Sequence, residues 1–78
     1  MRILILTRAF NSLSQRLFVE LEERGHIVSV EYDIDERTSV EAIDLFQPDL
    51  IVGSFLTRKI PASIWRRVKT LIVHPGPI

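Results

Sequence analysis

The chain has no cysteine, so a disulfide framework and thiolate-ligated metals are both excluded. It has only three glycines, and none follows the first apolar run. A dinucleotide-binding turn needs glycines there so that backbone can approach a pyrophosphate, and the usual mode of NAD or FAD binding is therefore not expected. Neither charge is in surplus. Ten Lys and Arg balance ten Asp and Glu, so no net field draws the chain to nucleic acid or to an anionic membrane. Long apolar runs are lacking too. Ile3–Leu6 follows the basic Arg2 as in a leader, yet it is far shorter than a signal h-region or a membrane span, and Thr7 and Arg8 break it. What remains is the composition of a soluble globular chain, 46% hydrophobic and 26% charged. Its 78 residues allow one small domain with a thin core. A cytoplasmic location is the expectation.

Patterning gives the order β-α-β-α-β-α-β. Ile3–Leu6 is a continuous apolar run, the mark of a strand covered on both faces. Ser12-x-x-Gln15 has capping-box form and should open a helix whose stripe is Leu13, Leu17 and Leu21 with Phe18. Gly25 stands where a left-handed C-terminal cap belongs, and residues 26–32 alternate as a second strand. Residues 33–39 read as a polar connection, and Thr38-x-x-Glu41 as a second capping box. The helix it opens carries Val40, Ile43 and Phe46 and stops at Pro48. Residues 49–55 form a third strand. Pro61 begins a helix carrying Ile64, Trp65 and Val68, and residues 70–74 form a fourth strand. The fold class is α/β, a doubly wound, Rossmann-like parallel sheet with right-handed crossovers and spatial order 2-1-3-4. Ligands of such sheets bind outside the carboxyl ends of the strands, near the switch between strands one and three. The fourth strand, as apolar as the first, would be left as an exposed edge. The chain reads as part of a larger domain, and its free edge invites self-association.

Two places on that carboxyl edge carry candidate chemistry. After the first strand, Arg8, Asn11 and Ser12 stand beside the free amides of a helix start, an arrangement able to hold an anion. The plainer reading is a capped helix and a solvated arginine. At the end of the fourth strand, His74 precedes a loop stiffened by Pro75 and Pro77. A histidine there can shuttle a proton or stabilise a developing oxyanion. On position alone, a strand-end histidine bonded to backbone is an equal alternative. A phosphoacceptor site fails, because strands one and three end in Thr7-Arg8 and Gly53-Ser54 rather than carboxylates. A metal site fails as well: besides His74 there is only His26, which follows a helix-capping glycine on the opposite edge.

The block "PDLIVGSFLTRKIP…LIVHPGPI" resembles the folate-dependent formyltransferase family, whose strand-loop-strand block ends in a histidine-proline loop. Within that family, "LTRAFNSLSQRLFVELEERGH" and the "HPG" ending look most like the amino-terminal domain of the branch that serves hydrogenase maturation. The early block is generic, and also occurs at the start of many glycosyltransferases. The later one is more specific. The resemblance covers the whole chain and implies that residues 1–78 are the amino-terminal part of a formyltetrahydrofolate-binding, formyltransferase-like domain, with no second domain present.

By the same resemblance the cofactor of the complete protein is 10-formyltetrahydrofolate, and its one carbon feeds the carbon monoxide ligand of [NiFe]-hydrogenase. His74 matches the histidine that polarises the formyl group. The stretch from Phe55 through Leu56 and Ile60 to Pro61 matches the lining of the folate pocket, and Asn11 and Ser12, with Arg8 near, fall where related enzymes hold an acceptor's phosphate. Partners implied are folate, a formyl acceptor, and the remainder of a parent chain that includes a crotonase-like domain. Two departures bear on mechanism. Ile72 replaces the asparagine two positions before the histidine, and Gly76 replaces a serine two after it. Both fit the hydrogenase-maturation branch, and they leave fewer groups to stabilise an oxyanion. The family's catalytic aspartate falls beyond residue 78, so a complete active site is not expected within the chain. Two rivals stand beside this reading: part of a nucleotide-sugar glycosyltransferase, and a non-catalytic ligand-binding or interaction domain.

Overall fold

The structure is a computed structural model that describes residues 1–54, 56 and 59–73. Its elements are β1 (Arg2–Thr7), α1 (Ser12–Glu23), β2 (Ile27–Tyr32), α2 (Glu36–Phe46), β3 (Leu50–Ser54), α3 (Ala62–Trp65) and β4 (Lys69–Val73). The four strands form one parallel sheet in the order β2-β1-β3-β4, as the alternation of patterns predicts. β1 is the inner strand, paired Leu4 to Ser29 on one side and Leu4 to Ile51 on the other. Because side chains alternate along it, its run of branched residues serves both faces. Leu4 and Leu6 join Ile51, Ile43 of α2 and Ile64 of α3 in one buried cluster. Ile3, Ile5 and Thr7 point to the other face, which α1 covers. Burying each of these large side chains contributes roughly 1.5–3 kcal/mol relative to leaving it in water.

Both helix starts differ from their expected positions. Asn11, not Ser12, caps α1: its backbone is extended and its Oδ1 accepts from Ser14 N at 3.2 Å. Ser12 becomes the first helical residue and is exposed, while Gln15 Nε2 reaches back to Phe10 O. In α2 the cap is Asp35, whose carboxylate accepts from Thr38 N at 2.7 Å, so the cap falls three residues before the Thr38 that the capping-box pattern marks. An ionised cap with Glu36 behind it complements the positive end of the helix dipole better than a hydroxyl does.

The helix ends follow the sequence more closely. Gly25 has φ +90, with Gly25 N donating to Glu22 O and His26 N to Leu21 O, the paired bonds of a Schellman motif. α2 stops at Gln47, a non-glycine residue at φ 54, directly before Pro48. The turn is held by Arg2, whose Nε donates to Phe46 O at 2.8 Å while its guanidinium lies 4.3 Å from the Phe46 ring centre. α3 is a single turn, shorter than expected: Ile64 is buried, Trp65 is half exposed, and Val68 lies past the helix. No helix among the described residues is long and apolar enough to cross a membrane.

Candidate functional site

At the carboxyl edge, β1 ends in Thr7 and β3 in Ser54, and the two are register partners. Both are fully buried, as is Ser14 in the first turn of α1. The three hydroxyls form a chain. Ser14 Oγ lies 3.1 Å from Ser54 Oγ and 3.3 Å from Thr7 Oγ1, and Thr7 Oγ1 donates to Ala9 O at 2.8 Å. Ala9 N in turn donates to Thr7 Oγ1. The loop between β1 and α1 is thus held from beneath by hydroxyl groups. The switch point, where the strand ends carry no carboxylates, is held by serine and threonine. The sequence holds a signal for this: Ser14, Leu17, Phe18 and Leu21 share one helical stripe, and a serine on an apolar stripe is a buried hydroxyl needing partners.

Above this chain stand the first candidate residues. Arg8 is exposed at the end of β1 and lines a cavity of about 420 Å³ with Tyr32, Asp33 and Ile34. Asn11 has its Oδ1 committed to the cap, and its side-chain NH2 remains a potential donor. Ser12 lies on the exposed side of the first turn, beside Leu13 and Arg16. The amides of Ser12 and Leu13 belong to the opening turn, which has no intrahelical acceptors. Arg8, Asn11 and Ser12 therefore share one edge of the sheet and one helix start. Asp33 puts a carboxylate into the same cavity as Arg8, so the cavity carries groups of both signs.

The second candidate group follows β3. Gly53 faces the α2–α3 side of the sheet, where a Cβ would lie 2.6 Å from Leu56 Cδ1, 3.1 Å from Ile72 Cδ1 and 3.3 Å from Ile60 Cδ1. Having no side chain there, Gly53 lets Leu56 and Ile60 settle onto the end of the sheet against the main apolar cluster. Ile60 also lines a groove of about 650 Å³ with Lys59, Trp65, Lys69, Thr70 and Ile72. Pro61 caps α3 without a side-chain hydrogen bond. Phe55 and His74, the other two predicted site residues, lie outside the described residues. His26 lies at the amino edge, where its Nδ1 accepts from the Met1 ammonium at 3.0 Å. No cluster able to hold a metal ion occurs among the described residues.

No family model matches the chain. It is 57% identical over 77 residues to the hydrogenase maturation factor HoxX of Bradyrhizobium diazoefficiens, a match covering 99% of this chain and 14% of that protein. Among solved structures it is similar to HypX of Aquifex aeolicus in complex with tetrahydrofolic acid, with 60% identity and a TM-score of 0.92. A two-site variant of the same HypX superposes with a TM-score of 0.91. Each of these matches covers 99% of this chain and 14% of the HypX chain. The resemblance to the hydrogenase-maturation branch holds along the chain in both sequence and fold.

Proposed function

We propose that this chain, which has the sequence and fold of the amino-terminal part of HypX/HoxX, contributes part of a formyltetrahydrofolate site to a formyl-transfer enzyme of [NiFe]-hydrogenase maturation. One observation carries the reading: a protein 60% identical over 99% of the chain is solved with tetrahydrofolic acid bound. The one carbon released would supply the hydrogenase's carbon monoxide ligand.

In this reading the stretch from Phe55 to Pro61 borders the folate, with Leu56 and Ile60 resting on the sheet above Gly53. His74 donates to the formyl oxygen as an acceptor nucleophile attacks, because a positioned donor is worth most where negative charge develops. Arg8, the side-chain NH2 of Asn11 and the first-turn amides at Ser12 and Leu13 hold an anionic group of the acceptor. Folate, the acceptor and the rest of a longer chain, with a crotonase-like domain, are the partners. The chain spans 14% of the relatives it matches. The remaining catalytic groups, an aspartate among them, come from elsewhere in that longer protein.

Calorimetric titration of the full-length protein with tetrahydrofolate tests the reading. Saturable one-to-one binding is expected, together with consumption of 10-formyltetrahydrofolate. A full-length, folded protein that binds no tetrahydrofolate would overturn it.

A further inference from the structure

The hydroxyl chain at the switch point belongs to neither group of candidate site residues, yet it touches the roots of both. Ser54 is the residue from which the folate-bordering stretch departs. Thr7 is the residue from which the Arg8–Asn11 loop departs. Ser14 bridges them, at 3.1 Å to Ser54 Oγ and 3.3 Å to Thr7 Oγ1, and lies within 3.4 Å of Ala9 O in the middle of that loop. Its backbone N–H, at 3.2 Å, is also the donor that fixes the Asn11 side chain.

Stability alone does not require this arrangement. A fully buried hydroxyl costs free energy unless it is bonded, and replacing a matched set by apolar groups of similar shape can be nearly neutral. What three matched hydroxyls give, and three methyls would not, is direction. Each bond favours one distance and one angle between its partners, across two strands and a helix that otherwise meet through non-directional apolar contacts.

We infer that Ser14 is a positioning residue. Through Ser54 and Thr7 it sets the place of Arg8 and its loop relative to the folate-bordering stretch, and hence the approach of the acceptor to the formyl group. The inference rests on the functional reading above. Misplacement of a reacting group by about 1 Å can cost on the order of a hundredfold in rate. Removing the Ser14 hydroxyl takes away its bonds to Ser54 and Thr7 and leaves the Thr7–Ala9 bond, and is expected to cost less than that full displacement, roughly tenfold.

The test is a double-mutant cycle in the full-length protein, read as the rate of 10-formyltetrahydrofolate consumption, with tetrahydrofolate affinity measured alongside. Ser14→Ala should slow consumption roughly tenfold and leave tetrahydrofolate affinity within about threefold. In an Arg8→Ala background the same change should cost less than about twofold, because the group it positions is gone. Ser54→Ala, which breaks the bridge from the other end without touching the helix, should reproduce the pattern. Equal losses from Ser14→Ala in both backgrounds would mean a merely structural serine and overturn the inference. So would an unchanged rate. A wild-type protein inert toward formyltetrahydrofolate would instead defeat the functional reading beneath it.

Discussion

Ser14 and Ser54 are 40 residues apart in sequence, and their hydroxyl oxygens lie 3.1 Å apart in the core. That contact ties the first turn of α1 to the end of β3, the two elements that flank the topological switch. Parallel α/β sheets bind ligands at this place because two successive crossovers diverge there and leave a crevice. In this chain a bonded set of hydroxyls joins the ends of β1 and β3 to the first turn of α1 at that place.

Loss of His74 should be the most damaging single change. In the proposed mechanism Ile72 stands where, by the resemblance, ordinary formyltransferases have a second donor to the formyl oxygen. The histidine is then left with more of the oxyanion's charge. His74→Ala in the full-length protein is expected to lower turnover by at least about a hundredfold, the usual effect of removing one oxyanion donor. Tetrahydrofolate binding should change little. Normal turnover by a normally folded mutant would return His74 to a strand-end residue with a backbone partner.

Arg8→Ala should weaken use of an anionic acceptor and leave tetrahydrofolate affinity unchanged. Arg8 is exposed, so the loss should be largest at low ionic strength and shrink toward zero as salt rises. Consumption of 10-formyltetrahydrofolate compared at low and high salt reads this directly. A loss independent of salt would show that the guanidinium acts through shape rather than charge.

Gly53→Ala should disturb Leu56 before it disturbs the sheet. The added methyl meets the far end of the Leu56 side chain at 2.6 Å, and overpacking of this kind costs about 1–3 kcal/mol. Truncating the obstacle should recover part of the loss. Gly53→Ala with Leu56→Ala is expected to be less destabilising than the sum of the two single changes, as measured by thermal unfolding. Strict additivity would mean that the two do not meet.

Ser39 offers the opposite sign. It lies in the buried stripe of α2, and its Oγ has no hydrogen-bond partner among the described residues. Ser39→Ala removes an unsatisfied hydroxyl and installs the best helix former, so a gain of about 1 kcal/mol is expected. Urea unfolding followed by the fluorescence of Trp65, the only tryptophan, would measure it. Destabilisation would reveal a partner for the hydroxyl.

β4 pairs only with β3 among the described residues, and its Leu71 and Ile72 are each about half exposed, on opposite faces. An apolar, unpaired edge is a template for strand addition. Residues 1–78 alone are therefore expected to be marginally stable or to self-associate, and Leu71→Glu should shift sedimentation toward monomer. A monodisperse, highly stable wild-type monomer would contradict this.

Strand number and strand order were legible because they depend on coarse alternation of apolar runs with amphipathic segments. The helix starts were less so. Asn11 and Ser12 compete for one cap, as do Asp35 and Thr38 for another, and a four-residue pattern cannot rank a carboxylate against a hydroxyl three positions on. The hydroxyl chain escaped because Leu13, Leu17 and Leu21 drew the stripe one position away from Ser14. Gly53 is poorly marked as well: the side chains that require its missing Cβ are one in the segment just after the strand, Leu56, and two further on, Ile60 and Ile72.

The central place of β1 also matters while the chain is being made. It is made before both of its neighbours, and the second of them, β3, begins only at Leu50. At about 5–20 residues per second, synthesis leaves that side of β1 unpaired for roughly 2–9 s. Ile3–Leu6 is through that time a bare, β-prone segment of the sort that seeds aggregates. Arg2 and Arg8 bracket it, and like charges at the two ends of a sticky run oppose its stacking on a copy of itself. The arginine that bolts the α2 turn to the sheet in the folded chain is thus also a charge at the end of that run before its neighbour is made.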